Sequence, residues 1–370
     1  MFKSPQRIIP LLAACSLPFA SFADDDDLPA AITLPPGFEI EVLVKDVPNA
    51  RGISLSDSGT LYIGTRRKKS VYAVSDVFDD DKQAFYTIAT KRQMPSGVAF
   101  FEGDLYVGEV EQVVRYRDIE SKLDNPGEPE VVVGGLPSDK LHSWKHIEFG
   151  PDNKLYVPLG APCNVCNEPD YGTITRYNPG GSNPQLIARG VRNTVGMAWH
   201  PDTGELWFTD NGRDMLGDDI PPDELNRLAE EGSDFGFPYC HAGEIPDPDP
   251  ELAALGSCEK AVAPVKQLGP HVAALGLVFY TGEMFPEEYR GQIFIAEHGS
   301  WNRSEKTGYR ISLVRLDGNK VVSYEPFAEG WLDGESVFGR PVDILVAPDG
   351  ALLVSDDKNG LIYRISYDDD

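Results

Sequence analysis

The chain has 370 residues, of which 41% are hydrophobic and 10% aromatic, enough to form a large core. It carries 33 Lys and Arg against 59 Asp and Glu, which gives a formal net charge of −26. A surface this acidic repels a phosphate backbone, so the composition argues against a nucleic-acid-binding protein. The length allows two or three ordinary domains, but β architectures often reach it as a single unit.

The N-terminus has the pattern of an export signal. Lys3 and Arg7 form a basic region, residues 8–20 are apolar, and residues 21–23 fit a cleavage site. We predict a signal peptide over residues 1–23, an acidic linker over 24–33, and a periplasmic or secreted protein. The alternative is a lipid anchor at Cys15; we favour simple secretion because the apolar stretch before Cys15 is short. No other apolar run is long enough to span a bilayer.

A short sequence motif, called the recurring phrase below, occurs six times along the rest of the chain. In each copy a few apolar residues lead to a Gly or Asp turn, and a strand then begins on an aromatic or Leu pair. The recurring strands begin at Leu61, Leu105, Leu155, Leu206, Ile293 and Leu352. Successive copies are therefore 44, 50, 51, 87 and 59 residues apart.

Six hairpins at this spacing predict an all-β fold, a six-bladed β-propeller over residues 34–367 with a short acidic tail at 368–370. A β-helix would need a shorter and stricter repeat, and a sandwich would not explain six similar phrases. The gap of 87 residues predicts an insertion over about 212–269, between the fourth and fifth hairpins. Helices are scarce, and the best candidate is a short one at residues 223–231.

The segment before the third copy carries His142 and His146 on either side of Trp144. Propellers bind ligands at the mouth of the central channel, and we expect His142 to lie in a loop that feeds it. A histidine there can act as a general base near neutral pH. From these residues alone, a packed or solvent-facing histidine is the more common outcome.

Four cysteines remain after export, an even number in an oxidising compartment. We predict the local disulfides Cys163–Cys166 and Cys240–Cys258. A zinc site that uses all four would require the two pairs to converge in space. A c-type haem site would require a histidine at the position of Asn167.

The fourth copy is preceded by Arg192 and Asn193 and followed by a loop rich in glycine and carboxylates, residues 209–226. The guanidinium of Arg192 suits a carboxylate or a quinone oxygen, and a structural, salt-bridged arginine is the alternative. The loop offers oxygen ligands of the kind that Ca²⁺ binds, although its spacing is not that of an EF-hand. An acidic exposed loop is the alternative there.

Two later segments complete the set of polar residues at blade edges. His298 and Arg303 follow the fifth copy, and Arg340 precedes the sixth. Together these residues would form a cationic ring at one channel mouth within an acidic protein, which suggests an anionic ligand. The absence of a dinucleotide-binding glycine motif, a Walker loop and a nucleophile elbow argues against nucleotide binding and serine hydrolysis.

These segments resemble the soluble quinoprotein glucose/sorbosone dehydrogenases, six-bladed propellers that bind pyrroloquinoline quinone (PQQ) and Ca²⁺. The resemblance covers nearly the whole mature chain. Its most specific segments are His142 with residues 150–152, residues 190–193, residues 223–226 with 234–238, and residues 277–282 and 298–303, the last two being similar to the sorbosone dehydrogenase branch.

The resemblance implies a role for each matched residue. His142 would take the proton from a substrate hydroxyl while hydride passes to the quinone. The implied cofactor contacts are Gln93, Arg192, Asn193, His298, Arg303 and Arg340, and the implied calcium ligands are the backbone carbonyls of Gly212 and Arg213, with Glu224 at a structural calcium ion. The chain departs from the family at Val342, where the pattern has a second arginine, and in the fifth blade, where His298, Arg303 or Lys306 would replace a lysine.

The sequence therefore predicts an exported, PQQ- and calcium-dependent oxidoreductase that oxidises an aldose or a sugar aldehyde similar to sorbosone or glucose. An external quinone or cytochrome would accept the electrons. One alternative is a calcium-dependent propeller lactonase, which needs channel carboxylates that chelate the metal. The other is a non-catalytic propeller that binds a ligand without turnover.

Overall fold

The short apolar runs of the sequence form strands almost throughout the computed structural model, which describes residues 28–368. The predicted signal peptide, the candidate lipid anchor at Cys15, residues 24–27 and residues 369–370 lie outside the described residues. Within the described part, no helix is long and apolar enough to cross a membrane.

The first half of the chain forms the first three blades. A 3₁₀ helix (Pro29–Ala31) precedes strand β1 (Phe38–Val44). Blade 1 contains β2 (Ala50–Leu55), β3 (Leu61–Thr65), β4 (Val71–Ser75) and β5 (Ala84–Ala89). Blade 2 contains β6 (Gly97–Phe101), β7 (Asp104–Gly108), β8 (Val113–Tyr116) and β9 (Glu130–Val133), with a 3₁₀ helix (Ile119–Lys122) after β8. Blade 3 contains β10 (Glu148–Phe149), β11 (Leu155–Leu159), β12 (Thr173–Tyr177) and β13 (Gln185–Arg189).

The second half forms blades 4 to 6. Blade 4 begins with β14 (Gly196–Trp199), β15 (Leu206–Asp210) and β16 (Pro222–Leu228). The short elements β17 (Ser233–Asp234), β18 (Cys240–His241), β19 (Ile245–Pro246) and α1 (Pro250–Ala253) follow before β20 (Lys266–Pro270) completes that blade. Blade 5 contains β21 (Ala274–Phe279), β22 (Ile293–Glu297), β23 (Arg310–Asp317) and β24 (Lys320–Ala328), with a 3₁₀ helix (Glu287–Tyr289). A small hairpin, β25 (Leu332–Asp333) and β26 (Ser336–Val337), precedes β27 (Pro341–Val346), β28 (Leu352–Asp356) and β29 (Leu361–Tyr367) of blade 6.

The four main strands of each blade form an antiparallel sheet, and in blade 3 the short β17 adds a parallel pair with β13. First strands of neighbouring blades contact each other around a central axis, as β2 does with β6 and β27. The ring is closed by β1, which pairs with β29 as the outermost strand of blade 6 and places Phe38 opposite Tyr367. The N-terminal and C-terminal strands therefore share one sheet. The prediction of an all-β, six-bladed propeller is confirmed.

The recurring phrase corresponds to one structural position. Its six strands are β3, β7, β11, β15, β22 and β28, the second strand of every blade. These strands are buried on both faces, because neighbouring blades pack against each side of every sheet. That double burial explains why the phrase is apolar at consecutive positions rather than at alternate ones.

The predicted helix at residues 223–231 is wrong, because β16 occupies this segment. It pairs with β15 on one side, where Leu225 lies opposite Thr209, and with β20 on the other. The predicted insertion therefore contains two genuine blade strands. The additional residues are mainly 229–265, which hold β17 to β19, α1 and the Cys240–Cys258 disulfide.

Part of the segment predicted to be an acidic linker packs on the propeller. Leu28 and Ile32 are buried in the core between blades 5 and 6, and Thr33 forms a β-bridge with Glu329. Phe38, from β1, makes edge-to-face contacts with Phe285 and Phe327 in the same core, at ring-centroid distances of 4.7 and 4.9 Å. Such aromatic pairs add about 0.5–1.5 kcal/mol each beyond the burial of their area.

Candidate functional site

A cavity of about 520 Å³, within the usual range for ligand pockets, opens at one end of the propeller. The first and second strands of a blade are antiparallel, so the loop entering the first strand and the loop leaving the second lie at the same end. These two sets of loops, from every blade except the second, supply most of the cavity lining. The polar residues that interrupt the repeat therefore converge at one place.

His142 lies in the loop before blade 3 and lines the cavity. Its Nδ1 is 2.8 Å from the carbonyl oxygen of Ala161. A carbonyl can only accept, so Nδ1 carries the proton and Nε2 retains its lone pair. Burial, with the nearby charge of Arg192, lowers the pKa of His142 to about 3. The imidazole is therefore neutral at physiological pH and can accept a proton.

The backbone of His142 has a φ of 52°, in the left-handed region that non-glycine residues rarely adopt. Such conformations cost about 1–3 kcal/mol and need support from their surroundings. Support comes from Gly160 and Ala161, since Ala161 N–H also donates to the Arg192 carbonyl at 2.8 Å. A Cβ on Gly160 would lie 2.7 Å from the His142 carbonyl oxygen, so glycine is required for this close packing.

Arg192 and Asn193 enter blade 4 next to His142, and both line the cavity. The buried carboxylate of Asp210 accepts their two backbone N–H groups, at 2.8 and 2.6 Å. Burial raises the pKa of Asp210 to about 6, although these hydrogen bonds oppose the rise. The Arg192 guanidinium donates to Asn164, to the carbonyl of Asn211 and to the carboxylate of Asp214. Protein groups thus fix its orientation toward the cavity.

A chain of charged groups joins blades 1, 5 and 6 at the opposite wall. Asp357 accepts from Arg51 Nη1 at 2.8 Å and from His298 Nε2 at 3.0 Å. Burial opposes ionisation, but His298 and Arg51 hold the pKa of Asp357 well below its usual range. Arg51 and His298 both line the cavity. Sequence reasoning found His298 but missed Arg51 and Asp357, whose partnership spans 306 positions.

Three arginines that line the cavity lack an acidic partner. The guanidinium groups of Arg66, Arg67 and Arg340 form no ion pair with a carboxylate of residues 28–368. Arg66 instead lies over the indole ring of Trp144, with its guanidinium carbon 3.4 Å from the ring centroid. Burial, together with Arg51 and Arg67, lowers the pKa of Arg66 to about 10.

The same wall holds buried polar atoms without partners. Arg340 Nε, Arg51 Nε and Trp144 Nε1 have no hydrogen bond to any described residue. Buried polar atoms without a partner also occur away from the cavity, for example at Trp207 and Trp331. At the cavity, however, the unpaired N–H groups of Arg51 and Arg340 belong to cationic side chains of the lining, which indicates a site for an anionic ligand.

Several predicted residues do not line the cavity. Gln93 is exposed. In the residues that follow it, the carbonyls of Pro95 and Ser96 accept from the backbone N–H groups of Thr65 and Gly52 and so join blade 2 to blade 1. A direct cofactor contact from Gln93 is therefore not supported.

Arg303 and Arg213 also have other partners. Arg303 binds the carbonyl of Asp218 at the rim, and the guanidinium of Arg213 pairs with Asp247 in the insertion. Gly212 does line the cavity, beside Arg213. Lys306, considered as a replacement for the family lysine, pairs with Glu335.

Glu224 is buried behind the cavity lining. Its carboxylate accepts from the Asn226 amide at 2.9 Å and from Ala242 N–H at 2.7 Å. Burial, with the charge of Asp210, raises the pKa of Glu224 to about 8. The neighbouring Asp223 similarly accepts from the backbone of Gly212 and Ala273, and it braces two cavity loops.

The cavity mouth carries exposed apolar side chains. Leu141, Met215 and Trp301 line the cavity and are 45%, 65% and 70% exposed. An aromatic face beside polar groups suits a ligand that is itself partly apolar and partly polar.

Both predicted disulfides are present. Cys163 pairs with Cys166 beside the cavity, and Cys240 pairs with Cys258 in the insertion. Their Cα atoms are 6.1 and 5.3 Å apart.

Comparison with known proteins agrees with this architecture. An uncharacterized protein of Borreliella burgdorferi is 33% identical over 358 residues, 93% of either chain. The pyrroloquinoline quinone-dependent pyranose dehydrogenase of Coprinopsis cinerea is 24% identical over 340 residues, which are 86% of this chain but 38% of that protein. The calcium structure of the Trichoderma reesei family AA12 carbohydrate-active enzyme superposes with a TM-score of 0.75 at 21% identity, covering 91% of this chain and 97% of that one. A TrAA12-like family model matches residues 32–368, so the chain belongs to the TrAA12-like family, and the resemblance to quinoprotein sugar dehydrogenases that its sequence indicated is confirmed.

Proposed function

We propose that this protein is an exported, PQQ- and calcium-dependent oxidoreductase that oxidises an aldose or a sugar aldehyde, in the sorbosone or glucose class. The observation that carries the proposal is a neutral, oriented histidine, His142, in a cavity whose cations Arg66 and Arg340 form no ion pair with a carboxylate of residues 28–368. The relative from C. cinerea, named as a PQQ-dependent pyranose dehydrogenase, gives this ligand chemistry a precedent.

The residues present fit PQQ, which is a planar quinone with three carboxylates. Arg340 and Arg66 supply positive charge for the carboxylates, and Arg51 adds a third cation on the same wall. Arg192 and Asn193 supply N–H groups for the quinone oxygens. Val342 replaces an arginine of the family pattern, but Arg66 and Arg51 provide cationic charge that this pattern did not predict.

When bound, the cofactor supplies the acceptor for the hydride equivalent. His142 Nε2 accepts the proton of the substrate hydroxyl, and the bond from Nδ1 to Ala161 keeps Nε2 unprotonated and oriented. A general base works best with a pKa near the operating pH. Burial is the main cause of the low pKa of His142, and the charges of Arg192 and Arg66 add to it, so an anion bound beside these charges would offset only their part of the lowering.

We place the calcium ion at the backbone carbonyls of Gly212 and Arg213. Gly212 lines the cavity, and Arg213 follows it in the same loop with its side chain paired to Asp247. Within residues 28–368 no cluster of three or more Asp, Glu, His or Cys side chains could hold a metal ion. Backbone oxygens and water would therefore complete the coordination. Glu224 already accepts two hydrogen bonds, and the proposal assigns it no metal.

Trp301 and the two disulfides bear on the proposed substrate and compartment. The exposed indole of Trp301 at the mouth offers a face for a sugar ring. Two disulfides suit an oxidising compartment, as expected for an exported protein. The electrons would leave to an external quinone or cytochrome.

The test is reconstitution of the purified protein with Ca²⁺ and PQQ. We expect a shift in the PQQ absorbance on binding and dye reduction with at least one aldose. His142→Ala and His142→Asn should lower kcat by about 10²–10⁴-fold while the PQQ Kd stays within about threefold. The asparagine amide can donate to Ala161 in place of Nδ1, so this variant separates loss of the base from loss of packing.

Three results would contradict the proposal. One is the lack of any PQQ binding, and another is wild-type turnover in both His142 variants. The third is lactone hydrolysis without PQQ and without dye reduction, which would favour the lactonase alternative.

A further inference from the structure

The loop between β11 and β12 contains a four-residue ring, residues 163–166, at the cavity wall. The Cys163–Cys166 disulfide closes this ring, and Asn164 is one of its residues and lines the cavity. A disulfide that spans three positions restricts the backbone of the residues between its cysteines. The carbonyl and side chain of Asn164 are therefore presented in one direction.

Asn164 is the main partner of Arg192. Its carbonyl oxygen accepts from Arg192 Nε at 2.8 Å, and its Oδ1 accepts from Arg192 Nη2 at 3.0 Å. An arginine side chain loses rotamer entropy when it is held in place, and two acceptors on one residue fix the plane of its guanidinium. The only other acceptors for this group among the described residues are the Asn211 carbonyl and the Asp214 carboxylate.

Asn164 also holds the loop that follows β15. Its Oδ1 accepts from Asp214 N–H at 2.8 Å, and its Nδ2 donates to the Asp214 carbonyl at 3.0 Å. This reciprocal pair connects positions 50 residues apart. One side chain thus fixes both a cationic contact of the cavity and the loop that begins at Gly212.

We propose that Asn164, presented by the Cys163–Cys166 ring, is a positioning residue that holds Arg192 and residues 212–215 in their places at the cavity. It acts through Arg192 and the loop rather than by reacting. Its importance for the cofactor rests on the proposed function, whereas the positioning itself is a property of the cofactor-free protein.

The first experiment measures amide hydrogen exchange in the cofactor-free protein. In Asn164→Ala we expect the Asp214 amide to exchange at least tenfold faster than in the wild type, because its acceptor is lost. Asn164→Asp keeps that oxygen acceptor but loses the Nδ2 donor to the Asp214 carbonyl, so it should restore part of the protection. Asn167→Ala is the matched control, since Asn167 lies exposed just outside the ring. Exchange that stays within twofold of wild type in Asn164→Ala would overturn the proposal.

A second variant tests the ring itself. Cys163→Ser/Cys166→Ser keeps Asn164 but removes the restraint, and we expect Asp214 to exchange about three- to tenfold faster. Unchanged exchange in this variant would overturn the role of the disulfide.

The third readout is cofactor affinity. In Asn164→Ala the PQQ Kd should rise about tenfold, and Asn164→Asp, which keeps the acceptor for Arg192 Nη2 but loses the donor to Asp214, should recover part of this loss. The kcat of the loaded enzyme should change less, because His142 keeps its bond to Ala161. A wild type that binds no PQQ would refute the proposed function, while the exchange data would still decide the positioning role. A PQQ Kd within twofold of wild type in Asn164→Ala would overturn the link between positioning and cofactor.

Discussion

Two charged regions of the propeller are organised in opposite ways. In blade 5 the carboxylate of Glu297 is fully buried, and it accepts from Arg310 Nε at 2.8 Å, from the Ser312 hydroxyl and from the Tyr324 hydroxyl. At the cavity, Arg340 is partly buried and has no acidic partner among residues 28–368. The buried charge of Glu297 is thus fully compensated by neighbouring protein groups, whereas the charge of Arg340 is not.

The contrast gives a criterion for function in this molecule. A buried charge without a partner is costly, so it persists only when something else supplies the counter-charge. Glu297 should matter for stability and not for ligand binding, and Arg340 should show the reverse. The following changes test this contrast.

The largest expected effect is on stability. Glu297→Ala should lower the free energy of unfolding by about 2–4 kcal/mol, because the partly buried Arg310 and the hydroxyls of Ser312 and Tyr324 lose a fully buried acceptor. Denaturant unfolding of the cofactor-free protein measures it. Glu329→Ala is the control, since Glu329 is an exposed partner of the same Arg310 at 3.5 Å and should cost less than about 1 kcal/mol. An equal loss of unfolding free energy in the two variants would contradict a special structural role of Glu297.

Arg340→Ala should have the opposite profile. The free energy of unfolding of the cofactor-free protein should change by less than about 1 kcal/mol, since no ion pair is lost. The PQQ Kd should rise about 10–100-fold, the value of a charge-assisted hydrogen bond. Absorbance titration measures the affinity. Arg117→Ala, on the outer edge of blade 2 beside Glu130, should leave the Kd unchanged. A large loss of stability without a loss of affinity would make Arg340 a structural residue.

The smallest effect concerns two histidines in one segment. Burial and Arg192 lower the pKa of His142 below its ordinary 6.5. Burial also opposes protonation of His146, but its hydrogen bond to Glu148 and the charge of Asp343 raise its pKa. At pH 5 we expect His146 to be charged and His142 neutral, as NMR of ¹³C-labelled histidines can show in the cofactor-free protein. Titration of both rings over the same pH range would contradict the expected difference between their pKa values.

The signs of the two stability contributions follow from these shifts. The contribution of His142 is present above pH 6.5 and is lost as the pH falls toward about 3. The contribution of His146 is present below its unfolded pKa and is lost as the pH rises through its raised native pKa.

Much of the architecture was accessible from the sequence because it repeats. Six copies of one phrase identified the second strand of each blade, and the departures before the inner strands identified His142, Arg192, Asn193 and Arg340 as residues at one end. Local patterns of apolar residues and turns are enough for such predictions. The same local information wrongly favoured a helix at 223–231, where pairing with β15 and β20 decides the structure.

The remaining site residues depend on contacts that no local pattern reveals. Arg66 belongs to a basic turn that looks like an ordinary exposed loop, and only the closed ring brings it over Trp144. Asn164 was visible only as a residue between two cysteines. Gln93 is the opposite case: the sequence resemblance implied a cofactor contact, but the residue is exposed and does not line the cavity.

The strand β1 in blade 6 has a consequence for how the protein matures. Arg51 follows β1 closely, and its partner Asp357 immediately follows β28, so the two meet only when the first and last strands share a sheet. During synthesis Arg51 emerges 306 residues before Asp357. The Arg51–Asp357 contact at the cavity wall can therefore form only after blades 1 to 5 have been synthesised. Under the proposed function, the cofactor would bind after the ring has closed.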